Sequence, residues 1–101
     1  MYSVRLTERA EKDVLRLRPH HVKALKAIQV LMGSPRKGHT LSGSLQGVRS
    51  LEFSLPGGAY RAAYVIREEE QECLVFLVGP HEGFYERAKR RATALRKMGA
   101  L

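Results

Sequence analysis

Arg49-Ser50-Leu51-Glu52-Phe53-Ser54-Leu55-Pro56-Gly57-Gly58-Ala59-Tyr60-Arg61-Ala62-Ala63-Tyr64-Val65-Ile66-Arg67 alternates twice around one turn. In the first half Leu51, Phe53 and Leu55 fall on one side, and Ser50, Glu52 and Ser54 on the other. In the second, Tyr60, Ala62, Tyr64 and Ile66 oppose Arg61, Ala63, Val65 and Arg67. A period of two marks strands with one face buried, and Pro56-Gly57-Gly58 supplies the turn between them. Glu68-Glu69-Glu70-Gln71-Glu72 cannot pack and predicts a solvated connection. Cys73–Val78 is apolar on both faces, which suits a central strand, and Gly79-Pro80 ends it. Three sequential strands with short connections predict an antiparallel meander.

Upstream, Met1–Leu6 alternates as a short strand. Thr7 is placed as an N-cap, with Glu8 and Glu11 in the first turn where the helix dipole favours them. Ala10, Val14 and Leu17 stripe a helix ending near Arg18, and Pro19 stops it. Val22, Leu25, Ile28, Leu31 and Met32 predict a second helix to about Met32, closed by Gly33. The stretch from Ser34 to Gly47 reads as loop. Downstream, Glu82 to about Met98 reads as a basic helix packed through Phe84, Ala88, Ala92 and Leu95. The order is β-α-α-β-β-β-α. It predicts a single α+β domain over 1–101: a small, twisted, mainly antiparallel sheet packed on one face by a helical hairpin, with a basic C-terminal helix.

The chain carries 18 Lys and Arg against 10 Asp and Glu, a net charge of +8. Residues 1–40 and 82–101 hold the excess, while residues 41–81 are slightly acidic. Two basic segments around a middle that is not basic favour a polyanionic partner. The longest apolar runs are far too short to span a bilayer, and Met1–Arg5 lacks the apolar core of a signal peptide. These features predict a soluble cytoplasmic protein without a membrane partner. One cysteine, Cys73, excludes an internal disulfide and a multi-cysteine metal site, and reads as a packing residue. Ser34–His39 lacks the glycines and the Gly-Lys-Ser ending of a P-loop. His81-Glu82 begins like a zinc-protease motif, but Tyr85 stands where the second histidine belongs. No cofactor or metal is expected.

If Leu51, Phe53, Ala62 and Tyr64 face the helices, the opposite face of the sheet is free and carries Glu52, Ser54, Arg61 and Arg67. His81 rims that face, and Tyr85 follows four residues later. RNA scission without metal needs a base for the 2′-hydroxyl, an acid for the leaving 5′-oxygen, and cations for the phosphorane-like transition state. Histidine suits proton transfer near neutrality, arginine matches phosphate oxygens, and tyrosine can stack on a base. The scarcity of carboxylates on this face argues against a two-metal nuclease.

Ser34-Pro35 after the second helix, Leu41-Ser42-Gly43-Ser44-Leu45-Gln46-Gly47, Ala59-Tyr60-Arg61-Ala62-Ala63-Tyr64 and Val78-Gly79-Pro80-His81 together resemble the RelE/ParE superfamily of toxins from type II toxin–antitoxin modules. Nearly the whole chain takes part. Members similar to RelE and YafQ cleave mRNA in the ribosomal A site, whereas ParE members poison DNA gyrase. The resemblance to the former implies a ribosome-dependent endoribonuclease that binds mRNA, rRNA and a cognate antitoxin. Residue by residue it implies catalytic roles for His39, His81, Arg61 and Tyr85. Glu52 stands where RelE has a catalytic lysine and YafQ-like toxins a histidine, so it either supplies the base or marks altered activity. Arg49, Arg67, Arg36, Lys37, Arg87, Arg90 and Arg91 are the expected RNA-binding cations. The alternatives are a ParE-like gyrase inhibitor and a non-catalytic RNA- or ribosome-binding module.

Overall fold

The computed structural model describes residues 1–101. Strand β1 (Ser3–Leu6) ends at Thr7, whose Oγ1 accepts the Ala10 N–H at 3.2 Å and opens helix α1 (Glu8–Leu15). This helix stops at Leu15, short of Arg18, because Pro19 disfavours helical backbone before it. Residues 16–19 turn instead, with the His20 N–H donating to the Leu17 carbonyl at 2.8 Å. Helix α2 (His21–Gln29) buries Ala24 and Ile28, then tightens into a 3₁₀ turn at Val30–Met32 that buries Leu31. The meander follows the alternation: β3 (Arg49–Leu55), β4 (Gly58–Arg67) and β5 (Glu72–Pro80). A two-residue strand, β2 (His39–Thr40), lies in the expected loop, where it is too short to show a period. A second 3₁₀ turn, Gly43–Leu45, follows it. Helix α3 (Phe84–Lys97) begins two residues later than Glu82.

The five strands lie in the order β1-β5-β4-β3-β2, with β1 parallel to β5 and every other pair antiparallel. Leu51, Ala62, Tyr64, Cys73, Val75 and Val78 pack against Ala10, Val14, Ile28 and Leu31 of the helical hairpin. Cys73 is fully buried there, and desolvation raises its thiol pKa, so it is the packing residue its setting predicted.

The other face is not free. Phe84, Ala88 and Ala92 of α3 cover Ala63, Phe76 and Leu77, joined by Leu45 and Val48. The alternation of β5 slips at the register shift beside Ala63 and Tyr64, which places Phe76 and Leu77 together on the α3 side. A basic helix can cover a sheet because Phe84, Ala88 and Ala92 share one side of it, while exposed Lys89 and Arg90 lie on the other. What remains open is the end of the sheet carrying Glu52, Ser54 and Arg61. No helix is long and apolar enough to cross a membrane.

The loop before β2 is clamped from below. The Tyr64 hydroxyl donates to the Pro35 carbonyl at 2.7 Å and accepts the Gly38 N–H at 3.0 Å. Burial raises the Tyr64 phenol pKa, which keeps it a donor. A β-carbon on Gly38 would stand 2.8 Å from the Tyr64 ring and hydroxyl and 2.9 Å from the Ser50 carbonyl. Gly38→Ala is therefore expected to cost about 1–3 kcal/mol, as other overpacking changes do. A urea titration would show it as a lower midpoint at unchanged slope.

Candidate active site

Arg61 organises the open end of the sheet. Glu52 pairs directly across from it on β3, and Gly79 across from it on β5. The Arg61 Nη2 meets the Glu52 carboxylate at 3.1 Å. Its Nη1 donates to the Tyr85 hydroxyl, and the guanidinium carbon lies 5.2 Å from the centroid of the Tyr85 ring. Tyr85 reaches it from the first turn of α3, where buried Phe84 packs edge-on against it with ring centroids 5.9 Å apart. The Tyr85 side chain is half exposed, and Glu52 stands in solvent.

His81 follows β5 immediately. Its N–H donates to the Ala59 carbonyl at 3.1 Å, and its carbonyl accepts the Phe84 N–H at 3.2 Å. It is held in a turn, not on α3, so helical spacing does not relate it to Tyr85. The β4–β5 pairing sets it diagonally from Arg61, at a backbone separation of roughly 7–8 Å. His39 pairs with Ser50 and lies diagonally from Glu52 by the same rule. The two histidines are nevertheless far apart. Three strand spacings and about four residues separate their backbones, on the order of 20 Å. Glu52, Arg61 and Tyr85 thus form one group, with His81 and His39 each one diagonal step from it on opposite sides.

The expected RNA-binding cations divide by what they already hold. Arg49 lies on the hairpin face, and its Nη1 binds the carbonyls of Arg36 at 3.1 Å and Gly38 at 2.7 Å. Arg36 pairs with Glu68 in the β4–β5 turn. Arg67 shares Arg61's face but lies six residues along β4, about 20 Å away. It meets Glu72 at 3.6 Å and donates to the Ala100 carbonyl. Arg91 turns inward to Asp13 and the Phe76 carbonyl. Each of these four already holds acids or carbonyls of the chain itself. Lys37, Arg87 and Arg90 remain at the surface or half exposed. No three His, Cys, Asp or Glu side chains gather as a metal cage would need.

The family model of the ParE-like toxin of type II bacterial toxin–antitoxin systems matches residues 4–89. The chain belongs to this family. No curated protein sequence matches the toxin. Among solved structures it is similar to the RelBE2 toxin–antitoxin complex of Mycobacterium tuberculosis. There the TM-score is 0.70 and the identity 26%, covering 79% of this chain and 98% of that one. It is also similar to the isolated RelE toxin of E. coli, at a TM-score of 0.63 and 25% identity, covering 89% of this chain and 98% of that one. A conserved protein of Helicobacter pylori at 18% identity and a TM-score of 0.58 shares the fold. The matched segment holds Glu52, Arg61, His81 and Tyr85, and stops inside α3 just before Arg90.

Proposed function

We propose that this toxin is a ribosome-dependent endoribonuclease that cuts mRNA without metal and so stops translation in the cytoplasm. The observation that carries the reading is Arg61, held between Glu52 and Tyr85, with His81 in the turn that follows β5. In the proposed step a base takes the 2′-hydroxyl proton and the freed oxygen attacks the adjacent phosphorus. The 5′-oxygen then leaves with a proton from the acid, giving a 2′,3′-cyclic phosphate and a 5′-hydroxyl. Glu52 is the nearer base and His81 the acid. Arg61 neutralises the charge that builds on phosphorus, and Tyr85 orients that guanidinium while offering its ring to a base. His39, one step further out, contacts the flanking strand. A cognate antitoxin covers this face in the resting cell.

The test is induction of the toxin in a bacterial host with mRNA 5′ ends mapped on ribosomes. New ends within translated codons are expected. Growth arrest without new ends would overturn the reading, and arrest with gyrase-linked DNA breaks would assign the toxin to the gyrase poisons.

A further inference from the structure

Four arginines line one cleft with nothing else in its wall. Arg9 of α1 and Arg87, Arg90 and Arg91 of α3 enclose about 270 Å³. Arg91 is neutralised by Asp13, and Arg87 donates to the Pro80 carbonyl at 3.0 Å. Arg9 and Arg90 make neither a side-chain hydrogen bond nor an ion pair, and both are exposed. Of the acids on the same helices, Glu8 binds Lys12, Glu86 binds Lys89 and Asp13 binds Arg91, so none of these three pairs with Arg9 or Arg90. Converging guanidiniums repel one another, and an anion lodged among them relieves that repulsion. Their planar forks suit phosphate oxygens.

The cleft adjoins the candidate active site. The Arg87 guanidinium lies against Gly79, so closely that a β-carbon there would stand 2.9 Å from its Nη2. Gly79 is the β5 partner of Arg61. Arg61, Arg87 and then Arg9 with Arg90 therefore form a cationic track running one way from the site. We propose that this cleft binds a backbone phosphate of the same RNA strand that Arg61 engages, a short distance along from the scissile phosphate. The inference rests on the nuclease reading for the identity of the strand, and its test does not depend on cleavage.

The test measures binding of a short, fully 2′-O-methylated single-stranded RNA, which cannot be cut, as salt is varied. Arg9→Gln with Arg90→Gln is expected to weaken binding about tenfold near 0.1 M salt. It should also flatten the slope of log K against log salt by about 0.7, the share of one phosphate contact on a single strand. Lys23→Gln with Lys26→Gln removes the same charge from α2 and should leave the slope near wild type. Both pairs are exposed, and an unchanged melting temperature confirms folding. Equal weakening by the two double variants would overturn the proposal, because the cleft would then add only net charge. So would an unchanged slope, or a loss confined to duplex RNA. So would unaltered RNA binding accompanied by lost binding of a poly-glutamate peptide, which would give the cleft to an acidic protein segment. Failure of the nuclease reading appears separately, as wild-type toxin that binds this RNA but cuts none on ribosomes.

Discussion

Arg61→Ala is expected to slow mRNA cleavage on programmed ribosomes by about 10²–10³-fold, the cost of removing one preorganised charge from a transition state, while the toxin stays folded. Folding survives because the packing of β4 belongs to Ala62, Ala63 and Tyr64, all fully buried. What Arg61 loses is a bond to Glu52, whose side chain is 54% exposed, and such pairs contribute about 1 kcal/mol or less. Arg61→Lys restores the charge but not the fork. An ammonium cannot hold Glu52, Tyr85 and a phosphate in one plane, so only part of the rate should return. Tyr85→Phe separates positioning from charge, since it removes the hydroxyl that anchors the guanidinium and leaves a ring to stack on a base. Arg61 and Tyr85 act through one contact, so the double variant should lose less than the two singles together. Single-turnover cleavage with ribosome binding measured in parallel checks all four variants. Cleavage by Arg61→Ala at the wild-type rate would remove Arg61 from the chemistry.

The meander was legible because one buried face writes a period of two into the chain. Leu51, Phe53, Ala62, Tyr64 and Ile66 pack toward the hairpin as that period requires. The cover on the opposite face was harder to read. Small residues such as Ala63, Ala88 and Ala92 mark close approach of a helix to a sheet, yet they weigh little beside the cations around them. The slip in β5 was also hidden, since a strand apolar on both faces shows no parity to break. Within the site, Arg61 and Glu52 shared a face by alternation alone, whereas their meeting with Tyr85 depended on where α3 docks. His39 and His81 lie three strand spacings apart, a separation that residue types along the sequence do not carry. Among the expected RNA-binding cations, Arg91 is the one that turns inward. The signal was present on α1: Asp13 interrupts the apolar set of Ala10, Val14 and Leu17 and so had to face inward. A buried acid requires a cation, and α3 supplied it.

That pair underlies the largest stability change expected in the toxin. Strand β1 ends at Leu6, and after the Thr7 N–H has bonded the Val75 carbonyl at 2.9 Å the outer edge of β5 has no neighbouring strand. Asp13 and Arg91 occupy that edge. The Asp13 Oδ2 accepts the Val78 N–H at 3.0 Å, and the Arg91 Nη1 donates to the Phe76 carbonyl at 3.0 Å. The two side chains close on each other, with Arg91 Nη2 at 2.9 Å from Asp13 Oδ1. Asp13 is 5% exposed, so little water would replace what it provides. Asp13→Ala leaves a largely buried guanidinium without its counter-charge and a strand N–H without a partner, at a cost of about 3–5 kcal/mol. Domains of this kind have only about 5–15 kcal/mol in all. Thermal unfolding followed by circular dichroism should show a melting temperature lower by more than about 10 °C. Asp13→Ala with Arg91→Met should recover part of that loss, because a methionine leaves no charge stranded at the edge. If the single variant melted like the wild type, β5 would be closed by other means. If the double variant were no better than the single, the loss would belong to the Val78 N–H alone and the ion pair would contribute nothing.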